Sequence, residues 1–156
     1  MSDPYDLQRF VDAQDRVYAR VVAELRAGRK TSHWMWFVFP QVAGLGSSAM
    51  AQQYAINSLD EARAYLDHPV LGARLRECTQ LLLDVEVVNT SSASKGRDIT
   101  DILGYPDDLK FRSSMTLFAA LDDAPPVFAA ALRQFFAGKP DARTLEILGR
   151  SAPRQP

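Results

Sequence analysis

At 156 residues, 47% hydrophobic and 24% charged, the chain has the make-up of one globular domain with a real core, which excludes a disordered or fibrous protein. Eighteen Lys and Arg against nineteen Asp and Glu give a net charge of −1, which argues against coating nucleic acid. The single cysteine, Cys78, excludes an internal disulfide and paired-cysteine metal sites.

No apolar run reaches the ~20 residues of a membrane span. The N-terminus MSDPYDLQRF lacks the pattern of a signal peptide. A cytoplasmic protein without metal or cofactor is expected.

Residues 3 to 27 read as one long amphipathic helix. Asp3 before Pro4 resembles an N-cap followed by proline at the first helical position. Leu7, Phe10, Val11, Val17, Tyr18, Val21, Val22 and Leu25 recur at helical spacing, and Gly28 falls where a left-handed C-terminal cap belongs. Gln14 interrupts the stripe. A buried amide must find partners, so it either ties down neighbouring backbone or reaches a ligand.

The stretch Thr31 to Ser48, TSHWMWFVFPQVAGLGSS, is the most distinctive in the chain, with both tryptophans and one of the two histidines. Periodicity over His33 to Phe39 fits a short buried helix or a buried strand, and Pro40 ends either. Trp36, Phe37 and Phe39 are expected in the core. His33 and Trp34 are the site candidates, since each couples an apolar body to a polar edge near Arg29 and Lys30. Gln41 then leads into a loop with Gly44, Gly46, Ser47 and Ser48. Backbone amides of such a loop at a helix start can hold a phosphate or carboxylate. The spacing matches neither a P-loop nor a dinucleotide fingerprint, and a turn with a serine cap is the alternative. The helix it opens runs through Met50 and Tyr54.

Ser58 and Glu61 form a capping box for a helix to about Asp67, which makes Glu61 structural. His68-Pro69 marks a boundary, where His68 sets the helix entry or hydrogen-bonds a ligand. Leu71, Leu75, Cys78, Leu82 and Val85 share one face of the next helix, so Cys78 reads as core. Asn89 to Arg97, NTSSASKGR, is a polar loop or a lid. Asp98 caps a short helix ended by Gly104. Another helix runs from Asp107 to Leu121, with Phe111, Met115 and Phe118 inward. Lys110, Ser113 and Ser114 at i, i+3, i+4 suit an anionic group or a solvated face. Val127 to Ala137 and Ala142 to Leu148 are further helices, and a disordered tail starts at Ser151. The expected fold is all-α: a single compact domain of six or seven helices over residues 1–150, with no repeat and no linker.

The order of these elements resembles the domain-of-unknown-function family 1810. The matching pieces are RFVDAQ with Tyr18, ELRAGRKTSHWMWFVFPQ, GLGSS, YAINSLDEARAYLDHPVLGARL and DDLKFRSSMTLF, in order from Arg9 to Phe118. The resemblance implies a mainly α-helical single domain and no established activity. Its polar motif residues map onto Gln14, Lys30, His33, Trp34, Gln41, Gly44, Gly46, Ser48, Tyr54, His68, Lys110 and Ser113. Members of the family have been called calpastatin, a label that suits a disordered inhibitory repeat and not a chain with 47% hydrophobic residues.

Three functions are compatible with these residues. The first is a site for a small anionic, aromatic-bearing ligand such as a nucleotide or an ADP-ribose-like compound. Trp34 would stack a base, while Lys30, Lys110 and the Gly44–Ser48 amides would meet phosphate. The second is hydrolysis of an ADP-ribose-type N-glycosidic linkage, with His33 as acid or base and Asp107 or Glu61 as carboxylate. The third is a non-catalytic interaction or stress-accessory module. Binding is favoured over catalysis, because the candidates show no diagnostic spacing.

Overall fold

The computed structural model describes residues 3–90 and 99–149, without the side chains of 86–90. Among the described residues it holds ten α-helices and no strand, so all-α is correct and the expected six or seven helices is too few. The first apolar stripe is carried by two helices, α1 (Gln8–Asp15) and α2 (Tyr18–Ala27). Between them Val17 leaves helical backbone at φ −132°, ψ 0°, a break that side-chain periodicity does not report. Asp3 accepts from the N–H groups of Leu7 (2.8 Å) and Gln8 (3.0 Å), so it caps across an open turn and the helix starts at Gln8, not Pro4. Gly28, at φ 72°, closes α2 in the left-handed conformation expected of it.

Short pieces account for the rest of the difference. The aromatic block forms a single turn, α3 (Met35–Val38). After Pro40 the backbone extends, and Val42 makes an isolated parallel bridge with Ile56. Ser48 caps α4 (Ala49–Gln53) by accepting from Ala51 N–H, and Ser58 caps α5 (Leu59–Asp67) by accepting from Glu61 N–H. Then come α6 (Leu71–Thr90), α7 (Ile99–Leu103), α8 (Asp107–Ala119), α9 (Pro126–Phe136) and α10 (Ala142–Ile147). Asn89 and Thr90 belong to α6. The rest of the predicted polar loop, the Asp98 cap and the tail from Ser151 lie outside the described residues.

Helix α8 is the hub, packed against α3, α5, α7, α9 and α10, while α6 packs on α2, α5 and α9. Two rows of rings tie these helices together. Phe10 meets Tyr65 edge-on at 5.0 Å, Tyr65 meets Phe118 at 5.5 Å, and Phe118 meets Phe128 at 5.7 Å. Phe39 meets Phe111 at 5.0 Å, and Phe111 reaches Phe135 and Phe136. Cys78 is buried, which pushes its thiol up to about 12 and keeps it protonated at neutral pH.

A helix so enclosed keeps only its first turns, around Leu109, Lys110 and Arg112, open to solvent. Ser113, Ser114 and Thr116 are all buried, which corrects the polar face expected on α8. Ser113 Oγ donates to Leu109 O (3.1 Å) and Thr116 Oγ1 to Arg112 O (2.8 Å), the usual way a helical hydroxyl satisfies itself. Ser114 Oγ has no partner among the described residues. An unpaired buried hydroxyl costs on the order of 1 kcal/mol, so Ser114→Ala is expected to stabilise the fold by about that amount. A urea titration of the two proteins tests it. A lower midpoint in the variant would mean the hydroxyl has a partner.

Candidate functional site

Trp34 is held from below. Its indole N–H donates to Glu24 Oε1 (3.0 Å), and the same carboxylate accepts from Thr31 N–H (2.8 Å), Ser32 N–H (3.2 Å) and Ser32 Oγ (2.6 Å). Burial pushes the Glu24 carboxyl up, but the donors from Ser32, Thr31 and Trp34 outweigh it and hold the pKa at about 2. Trp34 is 1% exposed, so it has no face to offer a base. This corrects its assignment as the stacking residue. Glu24 was missed, though Val21, Glu24, Leu25 and Gly28 lie at i, i+3, i+4 and i+7. A carboxylate on an apolar stripe is the signal that could have found it.

Trp36, expected in the core, is the half-buried tryptophan. One turn of helix points Met35, Phe37 and Val38 inward and leaves Trp36 at the surface. There it lines a cavity of about 180 Å³ with Gln41, Gly44, Gly46, Gln52, Tyr54 and Asn57. The extended segment 41–43 forms one wall. It is pinned by Ala43 N–H to Ile56 O (2.8 Å) and Ile56 N–H to Gln41 O (2.9 Å). Tyr54 packs on Phe10 and Phe37, which sets its ring as a rigid wall. A cavity of about 150 Å³ can hold benzene, so this volume is enough for one ring.

A charge cluster lies beside it. Asp107 bridges Lys30 (2.7 Å) and Lys110 (3.4 Å), two cations to one anion. Lys30 Nζ sits 5.2 Å from the Trp34 ring and Lys110 Nζ 4.8 Å from the Trp36 ring. Trp36 is therefore shared between the cavity and the Lys110 cation.

A second, shallower groove adjoins the cavity through Gln52 and Asn57 and includes Asp6, Arg9 and Glu61. Arg9 is no anion receptor, because its five N–H groups are taken. Its Nε donates to Gln53 O, Nη1 to the carbonyls of Tyr5 and Asp6, and Nη2 to Ala55 O and Glu61.

The family model described as Protein of unknown function (DUF1810) matches residues 4–148. The chain belongs to the DUF1810 family. A crystal structure of the conserved hypothetical protein Rv1873 from Mycobacterium tuberculosis has 54% identity to this DUF1810 chain and a TM-score of 0.86. The match covers 96% of this chain and all of the other. No curated protein matches.

Within this DUF1810 fold the twelve sequence candidates separate into groups. Gln41, Gly44, Gly46 and Tyr54 line the cavity. Lys30 and Lys110 gather at Asp107 beside it. Four others are occupied by structure. Gln14 is 1% exposed, donates to Phe37 O (2.6 Å) and Tyr65 Oη (3.0 Å), and accepts from Arg74 (3.4 Å). His68 Nδ1 accepts from Val70 N–H (3.1 Å) and Leu71 N–H (3.2 Å), capping the entry to α6. Ser48 spends its hydroxyl on Ala51 and Ser113 on Leu109. Trp34 is core. His33 is exposed, hydrogen-bonds no described group, and does not line the cavity. Asn57 and Gln52 were missed, since isolated surface amides carry no sequence signal.

Glu61 is likewise bound up. It is 2% exposed, accepts from Asn57 N–H (3.1 Å) and Nδ2 (3.2 Å), and pairs with Arg9 (3.1 Å). Among the described residues no three His, Cys, Asp or Glu side chains are placed to hold a metal ion, and no helix is long and apolar enough to cross a membrane.

Proposed function

We propose that the protein binds a small molecule made of a planar ring and an anionic group, nucleotide-like or ADP-ribose-like in kind. The ring enters the cavity between Trp36 and Tyr54. The anionic group turns toward Lys110, the more exposed of the two lysines at Asp107. The observation that carries this is the double role of Trp36, which lines the cavity and has the Lys110 ammonium against its ring. The adjoining groove is the wrong direction for an anion, because its cation is saturated and Asp6 and Glu61 are acidic.

Binding is preferred to hydrolysis on one ground. A general acid or base must lie within hydrogen-bond reach of the reacting centre. The cavity lining contains no carboxylate and no imidazole. An interaction module has less support. Among the described residues the exposed large apolar side chains are Tyr105 (76%), Leu109 (44%) and Ile147 (41%), three scattered side chains and not a broad docking face.

A thermal-shift series with AMP, NAD, ADP-ribose and FMN tests the reading. Dose-dependent stabilisation is expected, reaching about 2.7 kcal/mol at a hundredfold excess over Kd. Trp36→Ala is expected to weaken affinity about tenfold while leaving the unliganded melting temperature nearly unchanged, since base stacking on an aromatic is worth about 1–3 kcal/mol. The reading fails if none of these anions shifts the transition.

A further inference from the structure

We infer that the Asp107 carboxylate is a built-in stand-in for the ligand's anionic group, and that a phosphate displaces it from between Lys30 and Lys110. This rests on the ligand site just proposed and concerns how its anionic end is kept filled and then vacated. Asp107 spans the two lysines with one oxygen each. Its Oδ2 lies 2.7 Å from Lys30 Nζ and its Oδ1 3.4 Å from Lys110 Nζ. Two ammonium groups sharing one oxyanion is also how lysines hold a phosphate.

Lys30 makes this more than a surface ion pair. Its side chain is 7% exposed, and an ammonium so enclosed needs a counter-charge. Lysine has three donors, and among the described residues Asp107 is the polar group its ammonium meets, beside the Trp34 ring. Spare donors remain for an oxyanion with more oxygens. Asp108 cannot replace Asp107, because it accepts from Thr100 Oγ1 (2.6 Å) and Leu109 N–H (2.9 Å).

Asp107 is also placed to let go. It is the first residue of α8, where the positive end of the helix favours a carboxylate with or without the lysines. The longer contact is the one to Lys110, so exchange starts there. A tethered carboxylate competes at an effective concentration on the order of millimolar, which weakens anion binding without closing the site. A phosphate monoester carries roughly −1.5 to −2 at neutral pH, which matches two ammonium groups better than one carboxylate does.

Rescue by a free anion tests the exchange, read as melting temperature at constant ionic strength. Asp107→Asn leaves Lys30 without its counter-charge and is expected to melt roughly 5–10 °C below wild type in chloride. Inorganic phosphate is expected to recover about half of that loss, a shift about three times that of wild type, because the competing carboxylate is gone. Adding Lys30→Met to Asp107→Asn removes the buried cation and is expected to return the phosphate shift to the wild-type value. If Asp107→Asn does not fold in chloride, phosphate must restore its folding.

Equal phosphate shifts in wild type and Asp107→Asn, a rescue that survives Lys30→Met, or no folding of Asp107→Asn in either salt would overturn the inference. Binding of AMP to the wild type would then leave the ligand site standing. Phosphate rescue without any binding of AMP would uphold the exchange and overturn the ring site.

Discussion

Gly72→Ala is expected to destabilise the protein by about 3 kcal/mol or more, at the top of the range for overpacking a close contact. Gly72 is the second residue of α6. A Cβ built on it would lie 1.9 Å from the carbonyl oxygen of Leu66 and 2.8 Å from its carbonyl carbon. Leu66 belongs to α5, so the obstacle is backbone and cannot rotate aside. Relief requires sliding α5 along α6 and disturbing the Tyr65 ring between Phe10 and Phe118. At this chain length the melting temperature should fall by roughly 10 °C. Thermal and urea unfolding check the figure. A loss below about 1 kcal/mol would show that α5 and α6 part readily enough to admit a methyl group at Gly72.

Glu24→Ala should cost a similar amount, about 3 kcal/mol. It strands four donors: the N–H groups of Thr31 and Ser32, the Ser32 hydroxyl and the Trp34 indole. Glu24→Gln should cost less than half as much, since one amide oxygen can still accept from three of them. The pH dependence separates charge from shape. The Glu24 pKa is about 2 in the fold against an ordinary 4.5, so the folded state favours the carboxylate. Its contribution is therefore complete above pH 4.5 and is lost as the pH falls through the folded value of about 2. Plotted against pH from 7 to 2, wild-type stability should drop by up to about 3 kcal/mol more than that of Glu24→Gln. Parallel curves for the two would exclude the carboxylate as the anchor of the Thr31–Trp34 turn.

Neither effect touches the cavity lined by Trp36 directly. Glu24 fixes Trp34, and Trp36 follows two residues on. A ligand assay on Glu24→Gln at neutral pH would therefore report how far the cavity wall depends on that anchor.

The elements that local chemistry dictates were legible in order. Ser48 and Ser58 cap helices by accepting from the residue three positions on. Gly28 is left-handed, and Cys78 is buried. Caps and turns depend on contacts within a few residues, so the residues alone carry the information. The helix count was not legible, because the break at Val17 keeps the apolar period intact on both sides.

The candidate site was half legible. Glycines, glutamine and tyrosine of the segment 41–54 line a cavity, and Lys30 and Lys110 meet at one carboxylate, Asp107, 77 and 3 positions away respectively. The tryptophans were exchanged. Trp34 and Trp36 stand two residues apart in the same aromatic block, and their side-chain chemistry is identical. Which of them faces water depends on a buried glutamate ten residues earlier and on one turn of helix, a choice that only the packed chain makes. The sequence by itself determined an all-helical chain, its caps and most of its core, because those follow from periodicity and neighbours. The tertiary structure alone decided which polar side chains are tied to the protein and which tryptophan ring lines the cavity. Those outcomes depend on partners brought together from distant parts of the chain.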